Sequence, residues 1–400
     1  MKNILLIMPY GGVGGIERVA NNFYNQYKSQ GYIVKAIKII QLDSDIIHFG
    51  DDEIALSKVD FYQMSFIKRF WFYCKIPFLI HQIIKKNNIT HSISFGDMAN
   101  VFSSISFSNE FKIGSIHSYK SVEFKNRNFL NIIFKWALKT TYYYFDKVVC
   151  ISEAVKLDLI ENCGFKFKNK LQVIYNPHNF EEILKLSNSP LESEIENQLF
   201  QDKIILFLGR ITIVKAPWHL IKAFSLLQNN DNSIKLVFIG DGDKNVTKHL
   251  SQLVTKLGLQ NNVIFLGRKI NPYHYLKRAS VLVLTSYYEG TPNVIVEAIA
   301  CQTPIVSSKC TDGIRELMSH KEFEFRDDFF ITESGIITPN FYKGNLSIPE
   351  DSDITSEEII FSKALESVLN SAEYSTKLIK NRELLLAKFD LESIAASYIS

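Results

Sequence analysis

The stretch Val281-Leu282-Val283-Leu284-Thr285-Ser286-Tyr287-Tyr288-Glu289-Gly290-Thr291-Pro292-Asn293-Val294-Ile295-Val296-Glu297-Ala298 decides the reading of this chain. Its four leading apolar residues make a buried strand, and the small-residue turn behind them hands over to a helix. The start of such a helix presents free backbone N–H groups that suit a phosphate or another anion. An acidic residue in that turn needs a separate purpose. A carboxylate repels phosphate but accepts hydrogen bonds well, so Glu289 suits the hydroxyls of a sugar lying beside the phosphates. Glu297, about two helical turns further on, can reach a second polyol. Hydroxyls, phosphate and hydroxyls in that order suggest a nucleotide sugar.

Outward from this stretch, strand and helix alternate along the whole chain, which points to parallel sheets covered on both faces. In the first part, strands are expected at Lys2 to Met8, Val34 to Ile40, Ser92 to Phe95, Lys112 to Ser115 and Lys147 to Ile151. In the second they are expected at Ile204 to Leu208, Lys235 to Ile239, Val263 to Leu266, Val281 to Leu284 and Pro304 to Ser307. Four hundred residues suit two domains better than one core. The expected division is an amino-terminal domain 1–178, a linker 179–200 in a polar stretch without strong periodicity, a second domain 201–383 and a last helix within 384–400. Ligands of open α/β sheets bind at the carboxyl ends of strands, so a cleft between two such domains collects the loops.

Five cysteines, an odd number without C-x-x-C spacing, argue against a disulfide framework and a zinc site. No apolar run approaches the roughly 18–20 residues of a membrane span, and the chain reads as cytoplasmic. Net charge is +3, divided unevenly: residues 1–180 hold 22 Lys and Arg against 14 Asp and Glu, residues 181–400 hold 23 against 28. Within the basic part, the run Ser65 to Lys75 mixes Lys68, Arg69 and Lys75 with Phe66, Phe70, Trp71, Phe72 and Tyr73. That mixture suits the headgroups of an anionic leaflet. It equally suits a core helix whose aromatics face inward and whose cations snorkel.

Glu-x7-Glu behind a strand resembles the signature of retaining glycosyltransferases of family 4, which have the GT-B fold. Three further motifs stand in the family's order. They are Gly11 to Arg18, similar to its amino-terminal glycine loop; Val173 to Pro177, similar to its interdomain junction; and Gly209-Arg210 with Lys215, similar to its phosphate-binding pair. The resemblance covers about residues 3 to 345 and implies two Rossmann-like domains facing across a cleft, with the last helix returning to the first domain. It also implies that Glu289 binds donor-sugar hydroxyls, Glu297 the ribose, and Arg210 with Lys215 the diphosphate. Gly14, Gly15, Gly209, Gly290, Asn293 and Val294 are then donor contacts. His117 resembles the family histidine beside sugar and pyrophosphate, and the segment Ser94 to Asn100, with Asp97 and Asn100, an acceptor side seen in members that extend lipid-linked oligosaccharides.

One departure stands out. The family has glycine after the lysine, and Ala216-Pro217 stands here, which bears on the shape of that loop. Ser308 to Glu316 reads either as a donor-facing small-residue loop or as an ordinary N-cap and turn. Asp241-Gly242-Asp243 imitates a metal-binding D-x-D, but the pattern recurs at Asp43 and Asp45 and at Asp351 and Asp353, and a turn after a strand explains it. Two cations can balance a leaving diphosphate, so no metal and no cofactor is expected.

The expected activity is a retaining, metal-independent hexosyl transfer from a nucleotide diphosphate sugar, with uridine as the base, to a glycan acceptor carried on a lipid, in bacterial surface-glycan assembly. The expected partners are the nucleotide sugar, that acceptor and an anionic membrane face, not nucleic acid. Two other classes stay open: a nicotinamide-dependent oxidoreductase, disfavoured by the lack of G-x-G-x-x-G spacing, and a non-catalytic glycan-binding subunit.

Overall fold

The computed structural model describes residues 2–12, 15–126, 128–228, 233–321, 324–326, 328–349 and 353–400. It divides into two compact units: residues up to His178 together with Phe389–Ser400, and Asn179–Lys388. Each is an α/β unit with its own sheet. Cys74 is exposed, and the other four cysteines are free and buried.

The first unit begins β1 (Asn3–Met8), α1 (Gly15–Ser29), β2 (Ile33–Ile40), β3 (Glu53–Ser57) and α2 (Phe66–Lys86). It continues β4 (His91–Phe95), α3 (Asp97–Ser104), β5 (Phe111–Ile116), α4 (Lys120–Glu123), α5 (Phe129–Lys139), β6 (Lys147–Cys150), α6 (Glu153–Glu161) and β7 (Leu171–Val173). The strands pair in parallel in the order β3-β2-β1-β4-β5-β6-β7. Helices cover both faces, so β1 reads as a continuous apolar run, Ile4 to Met8, and is fully buried.

The second unit opens with α7 (Phe180–Ser187) and α8 (Glu194–Leu199), followed by β8 (Lys203–Leu208), α9 (Pro217–Gln228), β9 (Ile234–Ile239), α10 (Lys244–Lys256), β10 (Val263–Gly267), α11 (Tyr273–Arg278) and β11 (Val281–Leu284). Then come α12 (Asn293–Cys301), β12 (Ile305–Ser308), α13 (Gly313–Met318), β13 (Glu324–Arg326), β14 (Phe329–Ile331), β15 (Gly335–Thr338), α14 (Ser356–Asn370) and α15 (Glu373–Leu386). The sheet order is β10-β9-β8-β11-β12-β15-β14-β13, parallel except for an antiparallel edge at β14 and β13.

Residues 179–200, expected as a linker, are two helices of the second unit. Ile183, Leu191 and Phe200 are buried there, and the Glu196 carboxylate accepts from the Tyr275 hydroxyl at 2.8 Å and Lys269 Nζ at 2.7 Å. Phe180, Ile183 and Leu184 of α7 carry the i, i+3, i+4 spacing of a helix, but the polar residues from Ser187 to Ser193 mask it. The last helix, α16 (Leu391–Ile399), lies in the first unit. Tyr27 donates to the Ala395 carbonyl at 2.8 Å, Tyr398 Oη meets Ser115 Oγ at 3.0 Å, and Lys147 Nζ donates to the carbonyls of Ser397 and Ser400, each at 2.9 Å.

Candidate active site

In the second unit the chain builds the sheet outward from β8 through β9 to β10, then returns to lay β11 on the other side of β8. The carboxyl ends of β8 and β11 therefore flank a topological switch point, the usual ligand crevice of an open α/β sheet. Lys215 comes from the loop after β8 and Glu289 from the loop after β11. Lys215 Nζ stands 2.5 Å from Glu289 Oε1, with about a fifth of each side chain exposed. Ser286 Oγ donates to the same carboxylate oxygen at 2.9 Å. Hydrogen bonds join the two loops: Thr285 Oγ1 donates to the Lys215 carbonyl at 3.0 Å and Tyr287 N to the Val214 carbonyl at 2.8 Å. From the end of β12, Ser308 Oγ donates to the Ser286 carbonyl at 2.8 Å. Burial pushes the Cys310 thiol up, and Glu289 adds to the shift, so this cysteine stays a neutral neighbour of the pair.

The loop after β8 depends on backbone that a side chain would spoil. A Cβ on Gly240 would lie 2.0 Å from the Gly209 carbonyl oxygen, and Gly240 has φ +140. Ala216 takes φ +42, the left-handed turn for which the resemblance expects glycine, and donates its N–H to the Ile213 carbonyl at 3.1 Å before Pro217 opens α9. The departure thus puts a non-glycine residue in a left-handed conformation. Arg210 is exposed and forms no ion pair among the described residues. Gly290, Asn293 and Val294 are partly exposed around the start of α12, where Pro292 at the N-cap gives no side-chain cap. Glu297 is buried in the second turn of that helix.

Behind the pair lies a buried network absent from the sequence reading. The Tyr287 hydroxyl meets His219 Nε2 at 3.1 Å, and His219 Nδ1 meets Glu358 Oε1 at 2.6 Å. Phe341 stacks on the imidazole at 4.5 Å. Glu358 also accepts from the Thr355 N–H at 2.8 Å, closing a capping box on α14. Tyr287 sits two residues before Glu289, and that adjacency was the one available signal.

The first unit repeats the topology, with its switch point between β1 and β4. At the end of β1, Gly11 lies against a buried cluster: Lys38 Nζ is 3.2 Å from Asp45 and 3.0 Å from Glu53, and a Cβ on Gly11 would lie 2.5 Å from Lys38 Cε. Gly14 lies outside the described residues, and Gly15 is the exposed first residue of α1. At the end of β4, Asp97 opens α3 and meets Lys120 Nζ at 2.7 Å, while Glu123 meets the same ammonium at 2.7 Å. Burial works against the Lys120 ammonium, but the two carboxylates outweigh it and raise its pKa. Burial pushes the Asp97 carboxyl up, against the pairing; the position of the pair keeps the ammonium charged.

Asn100 is fully buried, accepts from Ser94 Oγ at 2.7 Å and donates to the Ser115 carbonyl at 3.0 Å. Its bonds knit β4 to β5, so it shapes the loop rather than facing a ligand. His117 keeps some exposed surface but lies deep among its neighbours, with Nε2 at 2.7 Å from Ser115 Oγ. Burial first, then Lys120, lowers its pKa to about 3, so the imidazole is neutral and can donate or accept without carrying charge. The structure thus brings Lys215 and Glu289 together in the second unit and sets His117, Lys120 and Asp97 around the ends of β4 and β5 in the first. Asp243 caps α10, accepting from Asn245 N at 2.7 Å, which accounts for half of the D-x-D look-alike. No group of three or more His, Cys, Asp or Glu side chains able to hold a metal occurs among the described residues.

Residues 13–182 match the family model described as Glycosyltransferase Family 4, and residues 191–336 the one described as Glycosyl transferases group 1. The chain is 34% identical over 183 residues to an uncharacterized glycosyltransferase of Methanocaldococcus jannaschii, covering 46% of this chain and 44% of that one. An uncharacterized glycosyltransferase of Haemophilus influenzae is 28% identical over 334 residues, 81% of this chain and 86% of its own. A Campylobacter jejuni protein named N-acetylgalactosamine-N,N'-diacetylbacillosaminyl-diphospho-undecaprenol 4-alpha-N-acetylgalactosaminyltransferase is 30% identical over 203 residues, 51% of this chain and 52% of that one. The chain therefore spans about half the length of two of these relatives and most of the third. Among solved structures, Anabaena HepE in complex with UDP and glucose superposes with a TM-score of 0.74 at 17% identity, covering 100% of this chain and 98% of that one. At that identity the likeness is one of fold.

Proposed function

Because this chain belongs to the GT-B glycosyltransferases of the family 4 type, we propose that it moves a sugar from a uridine diphosphate donor to a lipid-linked glycan acceptor, with retention of configuration and without a metal. The observation that carries the reading is the Lys215–Glu289 pair at the switch point between β8 and β11. In this structure the ammonium neutralises the carboxylate. When the donor enters, Lys215 swings to the diphosphate and joins Arg210, and Glu289 is released to accept from sugar hydroxyls. The C1–O bond to the diphosphate breaks, the acceptor oxygen bonds to C1 on the same face, and its proton passes to the departing phosphate oxygen. The two cations meet the growing charge. No side chain of the second-unit site is a better base than the phosphate itself, and Cys310 stays a thiol. A lipid-linked acceptor is supported by the name of the Campylobacter relative, and a uridine donor by the ligand of HepE.

The test is to incubate purified protein with a panel of nucleotide sugars and follow slow donor hydrolysis. Glu289→Ala is expected to abolish turnover, and Glu297→Ala to weaken donor binding by about 1.5–3 kcal/mol, the worth of a charge-assisted hydrogen bond. Wild-type turnover by a folded Glu289→Ala protein sinks the assignment.

A further inference from the structure

An apolar opening of the first unit lies among α2, α3 and α5. It encloses about 710 Å³, within the range of small-molecule sites, and its walls are almost wholly aromatic and aliphatic. Val101 and Phe102 of α3 form its buried floor, and Phe78 of α2 and Phe129 and Trp136 of α5 stand on its rim, 74%, 72% and 58% exposed. An apolar surface of this extent marks a binding site. The two flanking helices carry Lys68, Arg69, Lys75, Lys85, Lys86, Lys135 and Lys139 and not one Asp or Glu. The occupant is therefore an apolar body joined to an anion.

We propose that this groove seats the isoprenoid chain of the lipid-linked acceptor, with its phosphates among the cations of α2 and α5. The inference rests on the lipid-linked acceptor proposed above. Two features separate this occupant from others. A flat leaflet meets an exposed face, whereas here a floor recessed on α3 accepts a single chain. The groove also shares α3 with the candidate acceptor side: Asp97 begins the helix at the end of β4, and Met98, Val101 and Phe102 turn into the groove.

A fluorescent analogue of farnesyl diphosphate, in water and without vesicles or donor, tests this directly. It is expected to bind saturably by anisotropy, to be displaced by unlabelled farnesyl diphosphate and to resist inorganic diphosphate. Cys74→Trp and Ile133→Trp, which fill the groove, are expected to weaken it at least tenfold while leaving flotation with anionic vesicles unchanged. Should either variant melt early, Phe78→Ser and Trp136→Ser, on the exposed rim, provide the same measurement. Filled variants that bind like wild type overturn the proposal, as does wild-type protein that binds the probe no better than inorganic diphosphate. Loss of flotation instead of probe binding assigns the face to the leaflet, and a concentration-dependent dimer abolished by filling assigns it to a second copy. Donor hydrolysis is measured separately, so failure here and failure of the transferase reading are distinguishable.

Discussion

Lys215 and Glu289 are close enough for a strong pair yet keep about a fifth of their surface in water. A partly solvated ion pair contributes at most about 1 kcal/mol to folding. A site that must receive a diphosphate, by contrast, loses a cation's full effect on the transition state when lysine is removed. The two roles therefore separate experimentally. Lys215→Ala and Arg210→Ala are each expected to lower the transfer rate about 10²-fold or more while shifting the denaturant midpoint little, and activity is expected to survive a chelator. A large loss of stability with normal turnover would make the lysine structural, and an absolute requirement for manganese or magnesium would contradict the two-cation account. Arg210, exposed and without an ion pair among the described residues, is free to move toward an anion.

Between elements, the Tyr287–His219–Glu358 chain ties the loop after β11 to α9 and α14. Glu358 is fully buried, and Lys222 Nζ lies 3.7 Å from it, so removing the carboxylate takes a hydrogen-bond partner from His219 and a nearby anion from Lys222 and leaves an emptied space. Glu358→Ala is expected to cost about 3 kcal/mol or more. Tyr287→Phe, which deletes one bond, is expected to cost about 1 kcal/mol and to slow transfer by loosening the Glu289 loop. Urea melts and kcat read both, and wild-type values for the two variants would remove the network from the account. This network was illegible in the sequence because its members lie 68 and 139 residues apart, and no periodicity joins them. The parallel strands were legible because strands buried on both faces must be continuous apolar runs, as in β1, β8 and β11. Short edge elements such as β3, β7 and β13 carry no such run, and six-residue α8 is too short to show a period. Among site residues, Lys215 and Glu289 were placed by motif and then found to touch, whereas Asn100 is turned inward to bond β5.

For the whole molecule, two imidazoles of lowered pKa and an uneven charge set the response to pH and salt. Burial lowers the pKa of both His117 and His178 from 6.5 to about 3. Between those values the unfolded chain binds protons that the folded chain refuses, so folding stability is full above pH 6.5 and lost as pH falls toward 3. Each histidine contributes up to about 1.4 kcal/mol per pH unit in that window. His178→Gln is expected to flatten the fall of the melting temperature between pH 6.5 and 4.5, and an unchanged slope would show that the imidazole protonates in place. No helix among the described residues is long and apolar enough to cross a membrane. The aromatic and basic run divides on α2: Phe66, Ile67, Phe70 and Trp71 are exposed beside Lys68 and Lys75, whereas Phe72 and Tyr73 pack against the core with Ile76 and Ile80. Each cation near an anionic surface is worth about 1 kcal/mol, and that attraction is screened beyond about 8 Å at physiological ionic strength. The protein is therefore expected to float with anionic vesicles at low salt and less at high salt, and Lys68→Glu, Arg69→Glu and Lys75→Glu together are expected to reduce flotation without altering the melt. Equal flotation with neutral vesicles, or none with anionic ones, would leave the aromatic face without a membrane and favour a soluble acceptor.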